Sequence, residues 1–234
     1  GSSGLRSLHH ALEIGYRHID TAEMYRNEEI VGQAIADSGV DRNQIFLTTK
    51  AWSDHLTHGE VKRACERSLE RLGLDYIDLY LIHRPGKAPL EETLVAMQEL
   101  VAEGKTRYIG VSNFSVEQLE RSLSISEETI FTDQVEYHPY KSLDALLTLC
   151  EREEVVLTAY TPLANGRVMR DQTLQAIGDR YQKSAAQVAL RWLVQQSNVI
   201  TIPKASSPEH QQENQDIFDF ELSDEDMRAI DELR

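Results

Sequence analysis

The stretch HIDTAEMYRNE, residues 18–28, places polar side chains directly after a short strand-like segment. An aspartate, a glutamate, a tyrosine and an arginine fall in the loop that leads to the next helix-like segment. Loops that connect strands to helices are where enzymes commonly carry their chemistry. Asp20 and Tyr25 are therefore the first candidates for a functional site.

Further polar residues that could do chemistry stand at the ends of later strand-like segments. They are Lys50, His83, Ser112, Asn113, Gln134, Tyr160 and Lys204. Taken singly, each type is more often a bystander, because loop tyrosines, strand-end lysines and lone histidines are usually surface or satisfied core groups. Their spread over nearly every segment favours a site assembled from many strand ends.

The elements that would position these residues follow from the hydrophobic pattern. Three- and four-residue spacing of apolar side chains predicts helices at 61–72, 90–104, 116–123 and 185–196, with Ser115 and Ser184 as N-caps and Gly73 and Gly104 at helix ends. Short β-branched, apolar or aromatic runs predict buried strands. These runs are YRHID from 16, IFLTTK from 45, YIDLYLIH from 76, RYIGVS from 107, FTDQVEY from 131, VVLTAY from 155 and NVITIP from 198.

Alternating strands and helices imply a parallel sheet, either open and doubly wound or closed into an α/β (β/α)8 TIM barrel. The first strand-to-helix junction lacks GxGxxG, and the polar residues are not gathered at one switch point, so the barrel is favoured. A barrel needs eight strands, whereas we find seven, and the chain opens on the helix LRSLHHALEIG. We infer that a first strand before Leu5 is missing from the sequence. Residues 1–4, GSSG, are interpreted as a tag remnant and residues 5–234 as a single domain.

Composition excludes several classes of function. The net charge of −15 over 234 residues disfavours binding to nucleic acid or to an anionic membrane surface. No run of apolar residues is long enough to cross a membrane, and no signal pattern opens the chain. Only Cys65 and Cys150 are present, without metal-ligand spacing, so we expect no metal, no disulfide framework and a cytoplasmic location.

Several segments, in order and over essentially the whole chain, resemble the aldo-keto reductase superfamily, in its bacterial diketo-gluconate and methylglyoxal reductase branch. The segments that carry this resemblance are GYRHIDTAEMYRNEEIVGQAI, TTKAW, RSLERLGLDYIDLYLIHRP, GKTRYIGVSNF, QVEYHPY, AYTPLANG and IPKASSPEHQQENQDIFDFELSDEDM.

The resemblance implies a catalytic tetrad of Asp20, Tyr25, Lys50 and His83. Reducing a carbonyl develops negative charge on oxygen, and Tyr25 is the expected proton donor. An ordinary tyrosine has a pKa near about 10, which a neighbouring ammonium lowers. Lys50 would be that ammonium, held by Asp20, while His83 would donate a hydrogen bond to the substrate oxygen.

The resemblance also implies a nicotinamide cofactor. Ser112, Asn113 and Gln134 would bind its carboxamide, and Tyr160 would stack on its ring. The stretch IPKASSPEH leads into a helix, whose N–H groups favour phosphate. The 2′-phosphate of NADPH is expected at Lys204, Ser206 and Ser207, and the adenine at Glu213 and Asn214.

Two positions depart from the family pattern. His210 stands where many relatives carry an arginine that clamps the 2′-phosphate, so NADPH is expected with NADH as a second cofactor. Arg84 stands where relatives often have tryptophan, and it either faces the substrate, favouring anionic or polyhydroxylated molecules, or turns to solvent. Trp52 is expected in the pocket wall, although a core tryptophan would have the same pattern.

The function implied is NADPH-dependent reduction of small aldehydes, ketones, dicarbonyls or keto-sugars by a monomeric enzyme. Two alternatives remain. One is a nicotinamide-binding regulatory subunit of the potassium-channel β-subunit kind, which the compact acidic chain disfavours. The other is a truncated, inactive reductase, against which the intact tetrad is no argument.

Overall fold

Strands alternate with helices throughout the computed structural model, which describes residues 2–234. Gly1, part of the interpreted tag remnant, lies outside the described residues. All seven predicted strands are confirmed, each within a few residues. Within the described range they are β1 (His18–Asp20), β2 (Phe46–Ala51), β3 (Ile77–Ile82), β4 (Thr106–Ser112), β5 (Ile130–Glu136), β6 (Val156–Tyr160) and β7 (Val199–Thr201).

The helices confirm the four predicted segments and add others. They are α1 (Ser2–Glu13), α2 (Glu28–Asp37), α3 (His58–Leu72), α4 (Leu90–Ala102), α5 (Val116–Ile125), α6 (Asp144–Arg152), α7 (Gln172–Tyr181), α8 (Ala185–Val194), α9 (Pro208–Gln215) and α10 (Asp224–Asp231). Short 3-10 turns occur at Glu23–Tyr25, Arg42–Gln44 and Ala164–Arg170. Across residues 2–234, none of the helices is both long and apolar enough to pass through a bilayer.

The helix ends follow the capping chemistry that the sequence predicts. Ser115 and Ser184 each form a capping box with the glutamine three residues later, so two backbone N–H groups are satisfied at each start. Gly73 ends α3 in the left-handed region, at φ 65°. α1 begins at Ser2 and so includes residues 2–4, which the sequence alone assigned to a tag remnant; that assignment stays a prediction.

The chain divides into two compact units, residues 1–133 and 134–234, and β5 runs across the division. Compact units within a chain do not by themselves decide how many domains it has. The interpretation of residues 5–234 as one domain stays a prediction.

In the first unit, parallel strands bring the candidate residues to one edge of the sheet. β1 pairs with β2, β2 with β3 and β3 with β4, with Asp20 opposite Thr48 and Ala51 opposite Ile82. All six residues of β3 are buried, as expected for a parallel strand covered on both faces. Because the carboxyl ends of parallel strands meet at one edge, the loops after β1, β2 and β3 leave the sheet together.

In the second unit, β6 and β7 are also parallel, with Leu157 opposite Val199 and Ala159 opposite Thr201. α8 is the most buried helix segment here, and its Trp192 is fully buried. The Trp192 indole N–H donates to Asp231 in the segment that ends the chain, at 3.1 Å. α9 begins with Ser207 as its N-cap and Pro208 at its first position.

Candidate active site

Lys50 and Asp20 form a buried ion pair at the carboxyl ends of β1 and β2. The Lys50 Nζ donates to Asp20 Oδ1 and also, at 2.8 Å, to the Thr21 carbonyl oxygen. The Lys50 side chain is 0% exposed and that of Asp20 is 10% exposed. A buried ammonium is costly unless it is paired and hydrogen-bonded, and these two contacts supply that pairing.

Tyr25 stands beside this ion pair. It ends the 3-10 turn Glu23–Tyr25, which Arg26 closes in the left-handed region at φ 54°. The Lys50 Nζ lies 5.3 Å from the centre of the Tyr25 ring, and the residue Tyr25 is 51% exposed. Tyr25 therefore faces solvent on one side and an ammonium on the other.

His83 follows β3 and completes the group. Its ring meets the Tyr25 ring edge-on, with the centroids 5.7 Å apart. Burial, with the positive charges of Lys50 and Arg84, lowers the pKa of His83 to about 4, so the imidazole is neutral at pH 7. Within the described residues the buried Nδ1 of His83 has no hydrogen-bond partner. A neutral imidazole carries one N–H that can be donated to a ligand.

Trp52 and Arg84 lie next to His83. The Trp52 ring is edge-on to the His83 ring at 5.1 Å, and the Arg84 guanidinium lies 4.9 Å from the centre of the Trp52 ring. Arg84 is exposed and stacked on an aromatic face. Arg84 is thus both exposed and stacked beside His83, and its facing a substrate stays a prediction.

Ser112 and Asn113 also lie close to His83. The Asn113 side-chain amide donates to the His83 carbonyl oxygen at 3.0 Å and to Ser112 Oγ at 3.2 Å. Asn113 has φ 60°, a conformation that asparagine tolerates better than most residues. The first unit therefore brings together the four tetrad candidates, both pocket candidates and these two cofactor candidates.

Asp133, at the end of the first unit, was not singled out from the sequence. Its side chain is fully buried; Oδ1 accepts the Phe114 backbone N–H at 3.4 Å, and Oδ2 has no partner within residues 2–234. Burial raises the pKa of Asp133 to about 7, and the Phe114 hydrogen bond offsets only part of that rise. Sequence alone gives no signal for this, because an aspartate in a strand looks the same whether or not its partner exists.

The sequence places Glu23 in the polar stretch HIDTAEMYRNE without indicating a partner for it. Its Oε1 accepts the Trp52 backbone N–H at 2.6 Å and contacts His55 Nδ1 at 2.9 Å. Trp52 lies 29 positions and His55 32 positions after Glu23 in the chain, so no local pattern predicts these two contacts.

In the second unit, the predicted phosphate residues surround the start of α9. Ser207 Oγ accepts the His210 backbone N–H at 3.2 Å, while Lys204, Ser206 and His210 are exposed. A helix start offers free N–H groups and the positive end of its dipole. These residues can hold a phosphate without first giving up a buried partner.

The remaining cofactor candidates of the second unit are more buried. Gln134 is buried in β5, and Tyr160 is half-buried at the end of β6, where its carbonyl oxygen accepts the Tyr137 N–H at 3.3 Å. Asn214 is buried, and the Glu213 carboxylate accepts the Ser184 hydroxyl. The Glu213 carboxylate thus already has a hydrogen-bond partner in Ser184, within the second unit.

The residues present fit a nicotinamide cofactor. Between Ser2 and Arg234, no three His, Cys, Asp or Glu side chains gather so as to hold a metal ion. A neutral His83 with an unpartnered buried nitrogen, beside a preset Ser112 and Asn113, suits a polar organic group. The exposed cation and hydroxyls before α9 suit a phosphate.

Comparisons with known proteins identify the family. A model of the Aldo/keto reductase family matches residues 2–234. The glyoxal reductase of Bacillus subtilis is 45% identical, over 100% of this chain and 84% of its own. The 9,11-endoperoxide prostaglandin H2 reductase of Trypanosoma cruzi is 41% identical, over 100% of this chain and 83% of its own.

Solved structures extend the likeness to the fold. A structure provisionally assigned as a 2,5-diketo-D-gluconic acid reductase B has a TM-score of 0.98 and 45% identity, over 99% of this chain and 83% of its own. An aldo/keto reductase from Brucella melitensis has a TM-score of 0.95 and 42% identity, over 100% of this chain and 89% of its own. The predicted fold class is thereby confirmed, as parallel strands and helices of the (β/α)8 barrel kind.

The predicted family is confirmed as well, and with it an oxidoreductase that reduces carbonyls with a nicotinamide cofactor. The cytoplasmic location and the monomeric state stay predictions. The chain belongs to the aldo/keto reductase family.

Proposed function

We propose that this enzyme reduces small aldehydes, ketones, dicarbonyls or keto-sugars to alcohols with NADPH, and that Tyr25 donates the proton. The observation that carries the proposal is the buried Lys50–Asp20 ion pair, whose ammonium lies 5.3 Å from the centre of the Tyr25 ring, beside a neutral His83. When bound, the reduced nicotinamide would supply the hydride.

The chain's own residues would stabilise the charge that develops on the carbonyl oxygen. Tyr25 would transfer its phenolic proton to that oxygen, and the Lys50 ammonium would stabilise the phenolate left behind. The neutral His83 would donate its N–H to the same oxygen, which orients the carbonyl and spreads its charge. Asp20 would act through Lys50, since its carboxylate fixes the ammonium.

Cofactor-binding residues are proposed for each unit by itself. Ser112 and Asn113 in the first unit, and Gln134 and Tyr160 in the second, are proposed for the nicotinamide. Lys204, Ser206, Ser207 and His210 are proposed for the 2′-phosphate, and Glu213 and Asn214 for the adenine. An exposed Lys204 supports NADPH, while a His210 in place of an arginine leaves NADH as a second cofactor.

Substrate preference is proposed to come from Trp52 and Arg84. The guanidinium is exposed over the indole face, which holds its charge near His83. A fixed guanidinium favours carboxylate or hydroxyl groups on the substrate. The glyoxal reductase relative makes glyoxal a suitable first substrate. Methylglyoxal is a second, since it is a small dicarbonyl of the same kind.

Replacing Tyr25 by phenylalanine tests the proposal. NADPH oxidation with methylglyoxal, followed at the nicotinamide absorbance band, should fall about 10²- to 10⁴-fold in kcat, the usual value of a positioned proton donor. The Kd for NADPH should stay within about twofold, since no cofactor contact is lost. Tyr108→Phe is the matched control because Tyr108 is also exposed, at 45%, and should leave kcat unchanged. Unchanged turnover in Tyr25→Phe would overturn the mechanism.

A further inference from the structure

A single carboxylate, that of Glu23, joins the turn that carries Tyr25 to the loop that follows Lys50. Glu23 begins the turn Glu23–Tyr25. Its Oε1 is bound by the Trp52 backbone N–H at 2.6 Å and lies 2.9 Å from His55 Nδ1. Two successive loops of the first unit therefore meet on one oxygen atom.

The two residues of the turn that follow Glu23 are exposed, whereas the Glu23 side chain is not. Met24 is 49% exposed, whereas the Glu23 side chain is 8% exposed. A carboxylate that accepts two N–H donors out of solvent forms stronger hydrogen bonds than a neutral acceptor. Glu23 thus ties the start of the turn, two residues before Tyr25, to the loop after β2.

The neighbouring buried glutamate shows what a purely structural carboxylate looks like. Glu28 accepts the Thr49 hydroxyl at 2.6 Å and the Arg71 side chain at 2.7 Å. Those partners lie on a strand and a helix, and both are away from the Tyr25 turn in the chain. Glu23 instead binds Trp52, whose ring meets the His83 ring at 5.1 Å.

We propose that Glu23 is a positioning residue for the reduction, which sets Tyr25 and Trp52 relative to Lys50 and His83 by tying their two loops together. The inference rests on the proposed function, in which Tyr25 is the proton donor. Its physical basis is orientation: a displacement of about 1 Å at a reacting group can cost about 10²-fold in rate. Glu23 itself touches neither substrate nor cofactor in this scheme.

Three variants test the proposal. Glu23→Ala should lower kcat about 10- to 100-fold and leave the NADPH Kd within about twofold. Glu23→Gln keeps a side-chain oxygen in place and should restore kcat to within about threefold of the wild type. Glu29→Ala is the matched control, because Glu29 is exposed in the first turn of α2. Among residues 2–234, its side chain makes no hydrogen bond to either loop.

Hydrogen exchange gives a readout that does not depend on turnover. Glu23→Ala should speed amide exchange in peptides covering 22–27 and also 52–56, and Glu29→Ala should not. Loss of kcat without faster exchange at 52–56 would overturn the inference, as would unchanged kcat in Glu23→Ala. Faster exchange throughout the chain would also overturn it, since that would show general destabilisation. If the wild type shows no turnover, the proposed function fails, and the exchange pattern alone then decides the link between the loops.

Discussion

The carboxyl ends of β1, β2 and β3 and the amino end of α9 both display polar side chains, but they differ in burial. At the strand ends, Lys50 is fully buried and has fixed partners in Asp20 and Thr21. At α9, Lys204, Ser206 and His210 are exposed. The strand ends belong to the first unit and the start of α9 belongs to the second.

The difference follows from what each region is proposed to do. A group that stabilises charge in a reaction acts most strongly when water is excluded and its partners are preset. A phosphate contact works from an exposed position, where the cation costs nothing to keep charged but is screened by salt. Substitution in the first region should therefore abolish turnover, and substitution in the second should tune affinity.

Replacing Lys50 gives the largest expected effect. Lys50→Met removes the ammonium beside Tyr25 and leaves Asp20 without its partner, so kcat should fall at least about 10²- to 10³-fold. Steady-state kinetics with NADPH and methylglyoxal measure this, and the exposed Lys87→Met serves as the control. Because Lys50→Met also risks unfolding, Lys50→Arg, which keeps the charge, is measured with it. A folded Lys50→Met with normal kcat would remove the distinction between the two regions.

Replacing the buried Asp133 should change the stability of the fold rather than the rate of the reaction. Its pKa is raised to about 7, so its contribution to folding is fully present below the unfolded pKa of about 3.9 and is lost as pH rises through 7. Asp133→Asn removes this loss and should raise stability at pH 8, by up to about 4 kcal/mol, and raise it much less at pH 5.

Thermal unfolding of Asp133→Asn and wild type at both pH values measures this gain. The exposed Asp179→Asn should show no such pH-dependent difference. An equal shift in Tm at pH 5 and pH 8 would contradict the assignment of the titration to Asp133.

Lys204 gives the smallest expected effect. Lys204→Ala should weaken NADPH about tenfold, the loss of one charge-assisted contact, and should leave NADH within about twofold. His210→Arg should act in the opposite direction and tighten NADPH, since it adds a guanidinium beside the same helix start. Fluorescence titration with both cofactors measures these constants. Equal weakening of NADPH and NADH by Lys204→Ala would place the 2′-phosphate elsewhere.

The sequence predicts the strand ends well because burial and periodicity are local signals. The parallel alternation put Asp20, Lys50 and His83 at one edge, and the register Asp20 opposite Thr48 brings Lys50 within reach of that aspartate. The capping boxes at Ser115 and Ser184 were predictable for the same reason, since each spans three residues.

Contacts between loops were not predictable in this way. The Glu23 bond to Trp52 depends on the path of two loops, and the unpartnered Asp133 Oδ2 depends on which groups fail to reach it. Neither leaves a pattern in the sequence, since the residue types are ordinary for their places. The stack of Arg84 on Trp52 is similar, because sequence placed both residues near His83 but not on each other.

The two tryptophans give the enzyme a built-in optical probe. Trp192 is fully buried, with its indole N–H bound to Asp231, so its emission should form a constant blue-shifted background. Trp52 is half-buried, edge-on to His83 and under Arg84, so its emission should follow whatever binds beside them. In a Trp192→Phe background, the remaining signal would come from one indole in the candidate site, so binding there could be followed in real time without an added label.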